Sequence, residues 1–263
     1  MLDKMALSNK ARDLRERLGE DADSPLDIFA IVQNIEDLTL VFYPLSKNIS
    51  GACYKGDDSK LILINSNMSV GRQKFSLAHE LFHIYYDDEM ATRVSLSEIG
   101  SGDRKEREAD QFASYFLIPQ YALKKLINNK MNKKLSLDEV IKLEQYYGVS
   151  HQAMIYRLLD ENFISKDERD SMQSGIISKA TRLGYDTRLY YPSSEEKKIH
   201  CYGYYINRAE NLLEEDLISF GKYEELLLDA FRDDIVYGED GDEYVLDWYY
   251  FFRYWLFKCI FVG

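Results

Sequence analysis

The stretch Phe75-Ser76-Leu77-Ala78-His79-Glu80-Leu81-Phe82-His83-Ile84-Tyr85-Tyr86 constrains the fold more than any other segment. Leu77, Leu81, Ile84 and Tyr85 recur at helical spacing, and so do Ala78, Phe82 and Tyr86. A helix that is apolar on most sides lies inside a protein. One polar stripe interrupts it: Arg72, Ser76, His79, His83 and Asp87. The rest of the chain has to be organised around this buried, striped helix.

His79 and His83 are four residues apart, so they lie one above the other on one helix face. Two imidazole nitrogens on one face can serve one metal ion. Glu80 sits one position round the helix, beside such an ion and off its coordination face. A metal held this way polarises a bound water, and the neighbouring carboxylate can take its proton. The pattern is the H-E-x-x-H signature of zinc peptidases. The bland alternative is a pair of buried histidines satisfied by hydrogen bonds. The chain has only four histidines (79, 83, 151 and 200), and two of them fall in this pattern, which favours the metal. Zn²⁺ is the expected ion, with Mn²⁺ as the alternative.

A catalytic zinc site needs a third protein ligand and an open position. His151 and His200 are distant in sequence, so a carboxylate is expected. A second helix is predicted from about Arg104 to Leu117, stopping before Pro119. On it Glu106 and Asp110 share one face with Ala109 and Ala113, small residues that let two helices approach closely. Glu106 can then coordinate the ion while Asp110 orients a histidine. Glu108 competes as the ligand, about 200° round the helix from Glu106. All three carboxylates can also simply favour a helix start.

Composition narrows the class. Hydrophobic residues make up 46% of the 263-residue chain, enough to build a core. Three widely spaced cysteines (Cys53, Cys201, Cys259) argue for a reducing compartment and against a disulfide framework. The N-terminus carries no apolar signal region, so a cytoplasmic protein is expected. Of the net charge of −12, residues 205–247 carry −11, from fourteen Asp/Glu against three Lys/Arg. That balance disfavours direct binding to nucleic acid. The acidic block reads as a solvated helical face or as a docking surface for a basic partner.

Along the chain, a helix is predicted over Asp3 to Leu18, with Met5, Leu7, Ala11, Leu14 and Leu18 on its apolar side. Ser24-Pro25 is expected to cap a second helix through about Gln33. Three β-type runs follow, Leu38 to Tyr43, Ser50 to Tyr54 and Lys60 to Asn65, read as a small antiparallel sheet. Asp88 to Asp103 reads as a loop. Ser136 to Asp160 has a helix-turn-helix pattern, with a Ser136/Glu139 capping box, a turn at Gly148 and Ser150 capping the second helix. Only Lys142 and Arg157 are basic there, so packing on the core or contact with a protein is preferred over DNA reading. His151 is expected at the surface.

The run Phe75-Ser-Leu-Ala-His79-Glu80-Leu-Phe-His83, followed by Glu106-x-x-Ala109-Asp110-x-Phe112-Ala113-x-x-x-Leu117-x-Pro119, resembles the ImmA/IrrE metallopeptidase family. Ile49-Ser50-Gly51 and Leu61-Ile-Leu-Ile-Asn65 are similar to that family as well. The resemblance covers roughly residues 1 to 165. It implies an α+β fold with a zincin-like core and Glu106 as the third ligand. It also implies a protein substrate, a helix-turn-helix repressor whose cleavage derepresses a mobile element or a stress regulon. Phe82 stands where many members carry Gly, which would narrow the cleft. Asp87-Asp88 replaces a frequent trailing His.

The expected division is a metallopeptidase domain over 1–165, including the helix-turn-helix-like segment 136–160. A mostly helical accessory domain over 166–263 follows, with the acidic block 205–247. Its predicted helices run to Leu183, from Tyr204 to Glu214 and from Ser219 to Phe231. The aromatic end, Trp248 to Val262, is too short and too charged for a membrane span and reads as a docked helix. The reading from another class is a regulatory binding protein with a structural metal, or a toxin–antitoxin partner. Glu80 discriminates, because a structural site has no need of a carboxylate there.

Overall fold

The computed structural model describes residues 2–88, 91–128 and 134–238. The aromatic end and the last part of the acidic block lie outside them. Helix α1 (Lys4–Arg17) starts at Asp3, whose side chain accepts from the Ala6 N–H. It buries Leu7, Ala11 and Leu14, whereas Met5 is 76% exposed and lies off the apolar face predicted for it. Helix α2 (Ile28–Gln33) begins later than Ser24-Pro25 suggested. The Asp21 carboxylate accepts from the N–H groups of Asp23 and Ser24 and folds that segment into a turn. The buried Arg15 guanidinium takes the Ser24 carbonyl.

Strands β1 (Leu38–Tyr43), β2 (Ile49–Lys55) and β3 (Lys60–Asn65) lie where alternation placed them. They belong to a five-stranded sheet, in the order β4-β2-β3-β1-β5. Its other members are β4 (Thr92–Leu96), inside the segment expected to be a loop, and β5 (His200–Gly203). The sheet is mixed rather than antiparallel: β1 runs parallel to β3, with Leu40 opposite Ile62, and the other pairs are antiparallel. β2 lies on the far side of β3 from β1, which is why β1 and β3 point the same way. One face buries Leu40, Cys53, Ile62 and Ile64. Tyr54, Leu61, Val94 and Leu96 are exposed.

Helix α3 (Val70–Tyr86) packs on β2 and β3, and α4 (Arg104–Leu117) lies against both α3 and α1. Every residue of α3 from Phe75 to Ile84 is buried. Phe82 is fully buried against Phe112 and Tyr86, so it fills the core instead of narrowing a cleft. Helix α5 spans Gln120–Asn128.

Helices α6 (Leu137–Tyr147) and α7 (His151–Asp160) have the predicted capping box, a left-handed Gly148 and the Ser150 cap. α7 packs on α3 and α4. Arg157, one of the two basic residues here, is fully buried over the Tyr115 ring. Little positive charge is left for nucleic acid.

Short helices α8 (Lys166–Ser171) and α9 (Ile176–Arg182) follow, separated at Gly175, which is left-handed. Beyond β5 come α10 (Tyr204–Glu214), α11 (Phe220–Asp229) and α12 (Asp233–Tyr237). The described residues fall into two compact units, one through Arg208 and one from Ala209 onward. β5, from the segment after position 165, pairs with β1 in the sheet of the first unit. Among the described residues no helix is long and apolar enough to cross a membrane.

Candidate metal centre

The helical spacing of His79 and His83 brings their Nε2 atoms to 3.2 Å from each other. α4 delivers Glu106 against both: one carboxylate oxygen lies 3.3 Å from His79 Nε2, the other 3.3 Å from His83 Nε2. His79, His83 and Glu106 therefore form a group that can hold a metal ion. Bonds of about 2.1 Å to a tetrahedral ion place ligand atoms about 3.4 Å apart. The donor separations fit that requirement without rearrangement. Glu108 is not part of the group, since its carboxylate pairs with Arg104 one turn back on the same helix, at 2.8 Å.

Each histidine is held by a carboxylate on its other nitrogen. His79 Nδ1 lies 2.8 Å from Asp110 Oδ1, and His83 Nδ1 lies 3.2 Å from Asp87 Oδ2. Such partners fix the ring orientation and turn Nε2 toward the ligand position. Asp110 is anchored in turn by the Gly100 N–H at 2.6 Å. Gly100 has φ +84, a left-handed conformation that only glycine adopts readily. Asp87 is a partner the sequence reading overlooked, although its position one turn beyond His83 was a usable signal.

Arg93, on β4, is the second residue overlooked. Its Nε donates to Glu106 Oε1 at 2.9 Å, and its terminal nitrogen reaches Asp103 at 3.1 Å. Near the motif, Tyr86 donates to the Lys10 carbonyl, Arg72 donates to the Ser97 carbonyl, and Tyr85 is half-buried beneath Arg17.

Charges within the cluster are strongly coupled. Burial alone would lower His79, but hydrogen bonds to Asp110 and Glu106 and the charges of Asp110 and Glu80 outweigh it and raise its pKa to about 10. Burial likewise opposes ionisation of Glu106, yet His79 and His83 hold it far below the usual carboxylate range. These values belong to the metal-free cluster.

Glu80 is completely buried, and among the described residues no N–H or O–H group donates to its carboxylate. The Cys53 thiol, a weak donor, faces it, and burial, then the Glu80 charge and a hydrogen bond to Glu80, push that thiol far up. Gly51 on β2 leaves the space: a Cβ there would lie 3.0 Å from Glu80 Oε1 and 2.7 Å from the Leu63 carbonyl. A buried carboxylate met by no stronger donor than a thiol costs stability.

Residues 37–159 match the model of a peptidase family, M78, described as the IrrE N-terminal-like domain. The match spans β1 to α7 and includes every residue of the cluster. No curated protein matches the chain.

Proposed function

We propose that this chain, whose residues 37–159 form an IrrE N-terminal-like domain of metallopeptidase type, is a zinc-dependent endopeptidase that cuts a helix-turn-helix transcriptional repressor. The observation that carries the reading is Glu80: buried, with no N–H or O–H donor among the described residues, and one residue along the same helix from a candidate ligand, His79. A structural metal site gives no reason to maintain such a group.

His79, His83 and Glu106 would hold the ion, and their two-nitrogen, one-carboxylate donor set suits Zn²⁺, with Mn²⁺ as the alternative. When bound there, the ion supplies Lewis acidity toward a water and a peptide carbonyl. Asp110 and Asp87 keep the two imidazoles oriented. Glu80 accepts a proton from the attacking water and passes it to the leaving amine. Arg93, paired with Glu106 and Asp103, brings a positive charge beside the group that would favour the charge developing on the carbonyl oxygen.

A protein substrate suits the sheet edge. β4 carries Arg93 to the cluster and pairs only with β2 among the described residues. An extended peptide can add to such an edge through backbone hydrogen bonds. The repressor as substrate, and a cytoplasmic place of action that relieves repression of a mobile element or stress regulon, follow from the family resemblance. The acidic stretch from residue 205 onward offers a docking surface for a basic partner.

The test is incubation of the purified full-length chain with the repressor encoded beside its gene, with Zn²⁺ or with a chelator. The account predicts one discrete cut that the chelator abolishes. Relief of repression in cells while the repressor stays intact would instead favour a binding protein.

A further inference from the structure

Buried polar groups in folded proteins are hydrogen-bonded, so each one left without a partner calls for an explanation. His151 is one case. It is buried rather than at the surface as expected, with Nδ1 2.6 Å from Glu144 Oε1 and Nε2 without a partner among the described residues. Three other side chains gather beside the metal group. Ser76 Oγ, Ser95 Oγ and both carboxylate oxygens of Glu80 are sealed from solvent, and no N–H or O–H group of the described residues bonds to any of them.

Ser76 lies four residues before Glu80 on α3, so the two share one helix face. A serine inside a helix commonly bonds back to a carbonyl one turn earlier, and Ser76 does not. Ser95 comes from β4. Its partner across the ladder is Gly51 on β2, the residue that leaves space for Glu80: a Cβ there would lie 3.0 Å from Glu80 Oε1. Residues paired across a sheet share a face. Arg93, two residues before Ser95 and so on the same face, reaches Glu106 from it. Ser95 Oγ is therefore on the side of Gly51 where the Glu80 carboxylate lies.

One water satisfies all three groups together: it accepts from the two hydroxyls and donates to the carboxylate, and about three bonds are the usual complement of a buried water. We propose that Ser76 and Ser95 are positioning residues that hold the Glu80 carboxylate through one internal water. One Glu80 oxygen is fixed by that water, and the other stays available to take a proton. The bond to Glu80 is the strong one of the three, because its acceptor is charged. The Cys53 thiol, a weak donor, does not replace it. The catalytic consequence rests on the peptidase reading, whereas the hydrogen bonds do not.

Denaturant unfolding of the full-length, metal-free protein tests the hydrogen bonds without any cleavage. Ser95→Ala should lower the folding equilibrium constant about tenfold or more, the worth of a hydrogen bond to a charged group. In a Glu80→Leu background the same change should cost little, because Leu gives the water no acceptor, and such coupling marks groups in one network. Ser76→Ala, in a helix interior that alanine favours, should fold and show the same coupling. Cleavage is the second readout: Ser95→Ala should lower kcat about tenfold with KM unchanged, since the lost bond steadies Glu80 and not the substrate. Alanine effects that are equal in the two backgrounds for both serines would overturn the proposal. So would an unchanged kcat for Ser95→Ala in a protein whose parent cuts the repressor. A parent that cuts nothing contradicts the peptidase reading and leaves the coupling to decide this one.

Discussion

Asp87 Oδ2 lies 3.2 Å from His83 Nδ1, one helical turn beyond it and just past the end of the helix that carries both His79 and His83. It does for His83 what Asp110, from the neighbouring helix, does for His79. Asp87→Asn should therefore weaken zinc affinity by about 10- to 100-fold, as loss of a carboxylate behind a ligand histidine does. Asp110→Asn should behave similarly. Competition with a chromophoric chelator measures both, and unchanged affinity in Asp87→Asn would remove it from the site.

Glu106 and Glu108 separate the same way. Glu106→Ala should lose tight metal binding, because its two oxygens face both imidazoles. Glu108→Ala removes the pair with Arg104, a side chain 73% exposed, from a carboxylate that is 15% exposed and outside the group, and should keep about one ion per chain. Metal analysis of the two purified variants decides the matter.

The metal-free cluster predicts a pH dependence. His79 is raised from 6.5 to about 10, so its contribution to folding stability is complete below 6.5 and is lost as pH rises through about 10. A metal must displace that proton, whereas Glu106 is already ionised. Zinc affinity should climb as pH rises from 6.5 toward 9, with proton release seen in buffers of different ionisation heat. Affinity that is flat over that range would contradict the charge assignment.

Gly51→Ala tests the space around Glu80. The added methyl would meet the Leu63 carbonyl at 2.7 Å and Glu80 Oε1 at 3.0 Å. Overpacking of this kind costs about 1–3 kcal/mol. Denaturant unfolding should report that loss, and peptide cleavage should fall with it as Glu80 is displaced.

Local signals made most of the core legible. The buried helix, the second helix from Arg104 to Leu117, strands β1 and β3, and the Ser136 capping box are each encoded within a few neighbouring residues. His79, His83, Glu106 and Asp110 come together because helical spacing fixes which side chains share a face. What escaped depends on partners distant in sequence. Thr92 to Leu96 is a strand only because β2 lies beside it, and His200 to Gly203 only because β1 does. Reading the first as a loop also hid Arg93. Parallel pairing of β1 with β3 leaves no mark in either strand alone. His151 looked like a surface residue because its buried partner, Glu144, lies across the Gly148 turn.

The most direct test of the central claim is cleavage by Glu80→Gln. Gln keeps the size of Glu80 and one acceptor oxygen but cannot take a proton from water. The variant should fold and bind one zinc ion like the parent, with cleavage of the neighbouring repressor reduced by about 10²- to 10⁴-fold, the usual worth of a general base. His83→Ala, run beside it, should lose both metal and cleavage. If Glu80→Gln cuts the repressor as fast as the parent while carrying the same metal, the buried carboxylate is not the base and the account is wrong.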